Sequence, residues 1–156
     1  METEKEVKRL IANRLMRSDE EIENFEEAMN ALYRVNDIDN IKFYCQAFDD
    51  NTEDRAVMFS LIHGIEAYDQ IFGTDRATEK FLESIHFMKE KAKEWLETMV
   101  LRVLNDDASR KEMIQQVKLE NISSENLMLL KQVIENLIKR NPNKFEANGI
   151  EVLNAF

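Results

Sequence analysis

The sequence predicts an all-α protein built from eight or nine amphipathic helices. Only three glycines and one proline occur among 156 residues, which is too few for the turns of a β-rich protein. Leu, Met, Glu, Lys, Ala and Gln, which favour helices, are plentiful. Apolar residues recur at steps of three and four along most of the chain, as they do on a helix with one buried face. A chain of this length is expected to form one core, so we predict a single domain over residues 1–156.

The first two helices are predicted from apolar spacing and a capping pattern. A helix over residues 4–16 places Leu10 and Leu15 on one side. Ser18 then begins a second helix, and Glu21 follows three residues later. At this spacing a hydroxyl and a carboxylate can each accept a hydrogen bond from the other residue's backbone amide.

A short helix and a long helix follow. Asp37 is predicted to cap the short helix, which runs through Phe48. The long helix covers residues 52–72, and Gly73 suits a left-handed stop. Gly64 is unfavourable within a helix, so its presence suggests close packing of a neighbouring helix.

The next predicted helix starts at Thr74 or Asp75 and bends near His86 or Phe87 into another helix. That helix carries the apolar residues Met88, Ala92, Trp95, Leu96, Met99 and Val103. Residues 105–107 interrupt the pattern.

The last three predicted helices each begin at a capping signal. Ser109 and Glu112 repeat the spacing of Ser18 and Glu21, which predicts a capping box before the next helix. Ser123 or Ser124 caps the helix after that, and Asn141 with Pro142 ends it and begins the last one. The predicted helices differ in length, and each has a broad apolar side. We therefore favour stacked antiparallel helical hairpins, a HEAT-like α-solenoid, over an irregular bundle.

The net charge limits the classes of partner. Acidic residues outnumber basic ones by 31 to 21, which gives a formal net charge of −10. Such a charge disfavours binding to nucleic acid or to an anionic membrane surface, and it suits a basic partner.

Three further features predict a cytoplasmic protein. Cys45 is the single cysteine, so it has no partner for an internal disulfide, and the charged N-terminal segment leads into no apolar region. The longest uncharged run, residues 56–65 with His63 neutral, is shorter than the roughly 20 residues that span a bilayer.

Three polar residues lie on the long helix at three-residue steps: His63, Glu66 and Asp69. Asp69 falls within the apolar sector of this helix, and Glu66 lies at its edge. A carboxylate on a buried face is unfavourable unless it is paired or hydrogen-bonded. We therefore predict a buried polar network formed by six residues: His63, Glu66, Asp69, Arg102, Asp106 and Arg110. In such a network, Asp69→Ala would strand hydrogen-bond donors and lower stability by about 1–3 kcal/mol.

Signals for catalysis and for metal binding are weak. The sequence lacks a glycine-rich phosphate loop, a paired-cysteine motif and a nucleophile elbow. It has two histidines and does not carry the two Glu-x-x-His motifs of a di-iron bundle. We predict no catalytic residue, no cofactor and no metal site. The enzymatic alternative is that Glu66 and Asp69 act as general acid and base.

Several segments between residues 48 and 110 resemble the bacterial immunity protein 30 family. They are Phe48-Asp49-Asp50 with Thr52, Met58-Phe59-x-Leu61-Ile62-His63-x-Ile65-Glu66-x-Tyr68-Asp69, Ala92-Lys93-Glu94-Trp95, and Arg102-x-Leu104-Asn105-Asp106-x-x-Ser109-Arg110. The resemblance implies an antitoxin-like protein encoded beside a polymorphic toxin. Such a protein binds the C-terminal domain of the cognate toxin and blocks it, without catalytic residues or a cofactor.

The leading functional hypothesis is therefore an immunity protein that neutralises a cognate toxin by stoichiometric binding. The alternative from another class is a helical-repeat adaptor or scaffold that binds an endogenous basic partner. Acidic residues cluster at positions 19–27 and 49–54. We expect Asp49, Asp50 and Asp54 to bind the partner, because this second cluster lies within the family-like segments.

Overall fold

The computed structural model describes residues 2–156, and within them it confirms the all-α prediction. This part of the chain forms nine α-helices and one 3₁₀-helix, and it contains no β-strand. The α-helices are α1 (Glu2–Ala12), α2 (Asp19–Val35), α3 (Asn40–Ala47), α4 (Arg55–Phe72), α5 (Thr74–Ser84), α6 (Lys93–Leu104), α7 (Asp107–Lys118), α8 (Ser124–Arg140) and α9 (Pro142–Leu153). The 3₁₀-helix, Ile85–Met88, lies at the predicted bend after α5.

Local capping determines where several helices begin. The Ser18 hydroxyl accepts a hydrogen bond from the backbone N–H of Glu21 at the start of α2. Ser123 does the same for Asn126 at the start of α8, and Pro142 is the first residue of α9. These contacts satisfy amides that have no partner within the first turn of a helix.

Several predicted boundaries are wrong, among them the start of α6, which is Lys93 and therefore leaves Met88 and Ala92 before this helix. The first helix ends at Ala12 instead of residue 16, and Met16 beyond it has a positive φ of 47°. The short helix begins at Asn40 instead of near Asp37, whose carboxylate accepts a hydrogen bond from the Asp39 amide. The long helix begins at Arg55 instead of residue 52.

Neither of the two predicted capping boxes forms completely. At the start of α2, the Glu21 amide donates to the Ser18 hydroxyl as predicted, but the Glu21 carboxylate accepts from the Arg17 amide, at 2.9 Å, instead of the Ser18 amide. The Ser109–Glu112 prediction is wrong because Asp106 is the cap of α7. Ser109 lies inside that helix and donates its N–H and its hydroxyl to Asp106.

The structure explains why glycine occupies two positions of the chain, Gly64 and Gly73. A Cβ atom on Gly64 would lie 3.2 Å from the Tyr44 ring, so the predicted close packing against this residue is confirmed. Gly73 has a φ of 94°, a conformation that other residues rarely adopt. Its ψ of 143° places it outside the left-handed helical region that was expected.

The helices pack mainly against helices that are close in chain order. α1 pairs with α2, α5 packs against α3, α4 and α7, and α8 packs against α6 and α9. Their apolar faces form a continuous core that includes Tyr68 and Trp95. This order of contacts occurs in layered hairpins and in irregular bundles, so the solenoid arrangement stays a prediction.

The loop formed by residues 48–54 joins three parts of the fold. The Asp49 carboxylate accepts a hydrogen bond from Nε of Arg14 at 2.9 Å, and the Asp49 carbonyl accepts one from the indole N–H of Trp95 at 3.0 Å. The Glu53 amide donates to the Leu15 carbonyl at 2.8 Å. The 48–54 loop therefore holds the end of α1 and the start of α6 beside α4.

Asp50 of this loop caps α6 from a distance in sequence. Residue Ala92 precedes α6 and has no side chain that can accept a hydrogen bond. The Asp50 carboxylate instead accepts from the backbone amides of Glu94 and Trp95, at 3.1 and 3.3 Å. A negative charge at this end of a helix is also favourable for the helix dipole.

We expect Asp50→Ala to lower the free energy of unfolding by about 1–2 kcal/mol, because it removes the side-chain cap of α6. Chemical denaturation of the two proteins measures the difference. Glu53→Ala is the matched control, since Glu53 is an exposed acid of the same loop that contributes its backbone amide. Equal destabilisation by the two substitutions would contradict the capping role of Asp50.

Candidate functional site

A concave surface of the described chain is the groove between α4, α5, α6 and the start of α7. Its volume is about 520 Å³. Its apolar lining includes Ile65, Ala77, Phe81 and Met99. Its charged lining consists of four residues: Glu66, Asp69, Arg102 and Asp106. The groove therefore brings together four of the six residues assigned to a polar network from the sequence.

Glu66 and Arg102 form a bidentate ion pair across the groove. Nε and Nη2 of Arg102 each donate to one oxygen of the Glu66 carboxylate, both at 2.8 Å. The hydrogen bond and charge of Glu66 raise the pKa of Arg102, against the opposing effect of its partial burial. Arg102 also lies over the Phe59 ring, 5.3 Å from its centre. These contacts hold the guanidinium in one orientation.

Asp69 lies in the same groove without such a partner. Within residues 2–156 its carboxylate receives no hydrogen bond and no ion pair, although both Glu66 and Asp106 repel its negative charge. Desolvation is the largest effect, and with these two carboxylates it raises the pKa of Asp69 to about 6. The charged form of Asp69 is therefore less favourable in the free protein than it is in water.

The six predicted residues do not form one buried network. Glu66 and Arg102 are paired as expected, but their side chains are 40% and 37% exposed. His63 is 66% exposed, with Nδ1 3.9 Å from the Glu66 carboxylate. The expected donors to Asp69 are absent from the described chain, so the predicted loss of stability in Asp69→Ala has no physical basis.

The remaining two members of the predicted network have separate structural roles. Asp106 caps α7, and hydrogen bonds from Ser109 lower its pKa. Arg110 is buried on α7 and donates to the Leu104 carbonyl at 2.6 Å, to Asp107 at 2.7 Å and to Glu151 at 3.2 Å. Arg110 therefore joins α6, α7 and α9 instead of reaching the groove.

The three acids expected to bind a partner are engaged within the protein. Asp49 is 3% exposed and paired with Arg14, so its carboxylate contributes little to the surface. Asp50 caps α6, and Asp54 caps α4 by accepting from the Val57 amide at 3.0 Å. In the other acidic cluster, Asp19, Glu20, Glu23 and Glu26 are exposed. The sequence reasoning missed the capping role of Asp50 because its partners lie 44 and 45 residues away.

The described residues contain no group of three or more side chains placed to hold a metal ion. One Glu-x-x-His spacing does occur, at Glu83 and His86, but Glu83 is exposed and His86 contacts the Asn126 amide at 3.2 Å. No helix in this part of the chain is long and apolar enough to cross a membrane.

A comparison with protein families finds a family model that matches this chain. The model of the family described as immunity protein 30 matches residues 12–113, which is more than half of the chain. The matched segment contains both the 48–54 loop and the groove. No curated protein and no solved structure matches the chain.

We expect Asp69→Asn to stabilise the protein near neutral pH. Burial favours the protonated form, so the stability contributed by this group is present below pH 4 and is lost as the pH rises through about 6. Because Asp69 is partly exposed, solvent screening reduces the expected gain at pH 8 to about 1 kcal/mol.

Urea denaturation of both proteins at pH 4, 6 and 8 measures this effect. The gain should appear between pH 4 and 8. The charged residues that line the groove with Asp69 are Glu66 on α4, Arg102 on α6 and Asp106 after α6. The residues of α5 in the lining are uncharged. A constant difference between the two proteins at all three pH values would show that Asp69 does not titrate as described.

Proposed function

Because the chain belongs to the immunity protein 30 family, we propose that it binds and neutralises a cognate toxin domain by stoichiometric, non-catalytic inhibition. The family match over residues 12–113 is the observation that carries this proposal. The partner is the C-terminal domain of a polymorphic toxin encoded beside this chain, and the encounter takes place in the cytoplasm.

The physical properties of the protein support inhibition by binding. Its net charge of −10 favours association with a basic surface, such as the substrate groove of a nuclease toxin. The 48–54 loop and the continuous core hold the helices in fixed positions, so little ordering is needed when a partner binds.

The enzymatic alternative receives less support from the geometry. A general acid and base need two carboxylates that can exchange protons with a substrate. Arg102 donates a hydrogen bond to each oxygen of Glu66, so this carboxylate is already engaged within the protein. Of the other two carboxylates in the lining, Asp106 caps α7 and accepts two hydrogen bonds from Ser109, so Asp69 has no unengaged second carboxylate beside it.

The proposal predicts neutralisation at a ratio of one protein to one toxin domain. The experiment uses the toxin domain encoded by the neighbouring reading frame and measures its residual activity during titration with this protein. Inhibition should reach completion at equimolar amounts and should not deepen with time. A toxin domain from an unrelated system is the control.

Progressive inactivation by trace amounts of the protein would indicate catalysis and contradict the proposal. Failure to bind the neighbouring toxin domain would also overturn it. In that case, selective recovery of an endogenous basic protein would favour the adaptor hypothesis.

We expect helicity and toxin binding to be unchanged after treatment with a metal chelator, because the proposed inhibition uses no metal. Circular dichroism and a binding titration before and after chelation measure the two properties. Loss of either property, followed by recovery with one particular metal, would contradict this expectation.

A further inference from the structure

We propose that the groove between α4, α5, α6 and α7 is the place where the toxin inserts an arginine or lysine side chain. This inference rests on the proposed function, since it names the surface through which the toxin domain is recognised. The groove, Asp69 and the orientation of Arg102 carry the argument together.

The shape and lining of the groove suit a long basic side chain. Its apolar surface, formed in part by Ile65, Phe81 and Met99, can cover a methylene chain. The carboxylates of Asp69 and Asp106 also line the cavity and can face the cationic end. Lys and Arg combine these two properties, because an aliphatic stem carries their charge.

The charges already present in the groove select a cation over an anion. Arg102 is the basic residue in the lining, and Glu66 occupies its guanidinium with two hydrogen bonds of 2.8 Å. Asp69 has no donor within residues 2–156. One oxygen of Asp106 accepts both hydrogen bonds from Ser109, and its other oxygen lies outside that capping interaction. An incoming cation would therefore find acceptors, whereas an anion would meet repulsion.

A basic side chain in the groove would also remove the unfavourable feature of the free protein. Asp69 is partly desolvated and close to two other carboxylates, which raises its pKa. A cation beside it would favour the charged form and provide the missing donor. Other acids that the sequence suggested as partner-binding, Asp49, Asp50 and Asp54, already accept hydrogen bonds from Arg14 or from helix amides.

The first variant is Asp69→Asn, tested with the catalytically inactivated toxin domain in a calorimetric titration. We expect its dissociation constant to rise at least tenfold, because the ion pair is lost. The protein itself should be more stable near neutral pH, so weaker binding could not be attributed to unfolding. Glu135→Gln on α8 is the matched control, since it removes one negative charge from an exposed position outside the groove.

The second variant is Thr78→Arg, which places a cation of the protein itself beside the groove lining. We expect this side chain to occupy the site of the incoming basic residue and to raise the dissociation constant at least tenfold. Gln132→Arg on α8 adds the same charge at an exposed position outside the groove and should leave the affinity within about twofold of the wild type. Circular dichroism confirms that each variant is folded.

The outcomes separate this inference from the proposed function. Tighter or unchanged binding by Asp69→Asn would overturn the docking site while leaving neutralisation of the toxin intact. Equal weakening by Asp69→Asn and Glu135→Gln would also overturn it, since the effect would then come from overall charge. A wild-type protein that does not bind the toxin domain would overturn both proposals.

Discussion

The 48–54 loop is the constraint on which the relative placement of α1, α4 and α6 depends. Its hydrogen bonds connect it to Arg14 and Leu15 after α1 and to the first turn of α6, and Asp54 then starts α4. A loop that provides helix caps in two directions leaves few orientations open to the helices that it joins. The groove lies between α4 and α6, so its width depends on this arrangement.

The same loop explains why separated segments of the sequence belong together. Asp49 and Asp50 contact Trp95, which lies 45 or 46 residues further along the chain. Arg55 completes this cluster by stacking on the Trp95 ring at 4.5 Å. The residues that carry the family resemblance in these segments therefore stabilise the fold, and their acidity serves helix capping and a buried ion pair.

The groove differs from the 48–54 loop, because Asp69 in its lining has no stabilising partner within residues 2–156. Arg110 donates to the Leu104 carbonyl and pairs with Asp107 and Glu151. Asp69 has no such partner among the described residues, and the charges of Glu66 and Asp106 repel its own. A residue that is unfavourable in the free protein is consistent with a role in binding, because functional groups often retain features that do not stabilise the fold. The proposed toxin side chain would give Asp69 the partner that residues 2–156 do not provide.

The sequence by itself determined the helical class and the starts of several helices, among them α2, α5, α8 and α9. These features depend on residues only three or four positions apart, as in the cap formed by Ser18 and the amide of Glu21. It also placed Glu66 and Arg102 in one set of acids and arginines expected to meet, because an acid at the edge of an apolar face needs a partner.

Only the tertiary structure decided which of several acids and arginines meet, since such pairs are set by the directions in which packed helices leave their loops. Asp50 therefore caps α6, and Arg110 pairs with Glu151 of α9. Asp69 has no hydrogen-bond donor within residues 2–156.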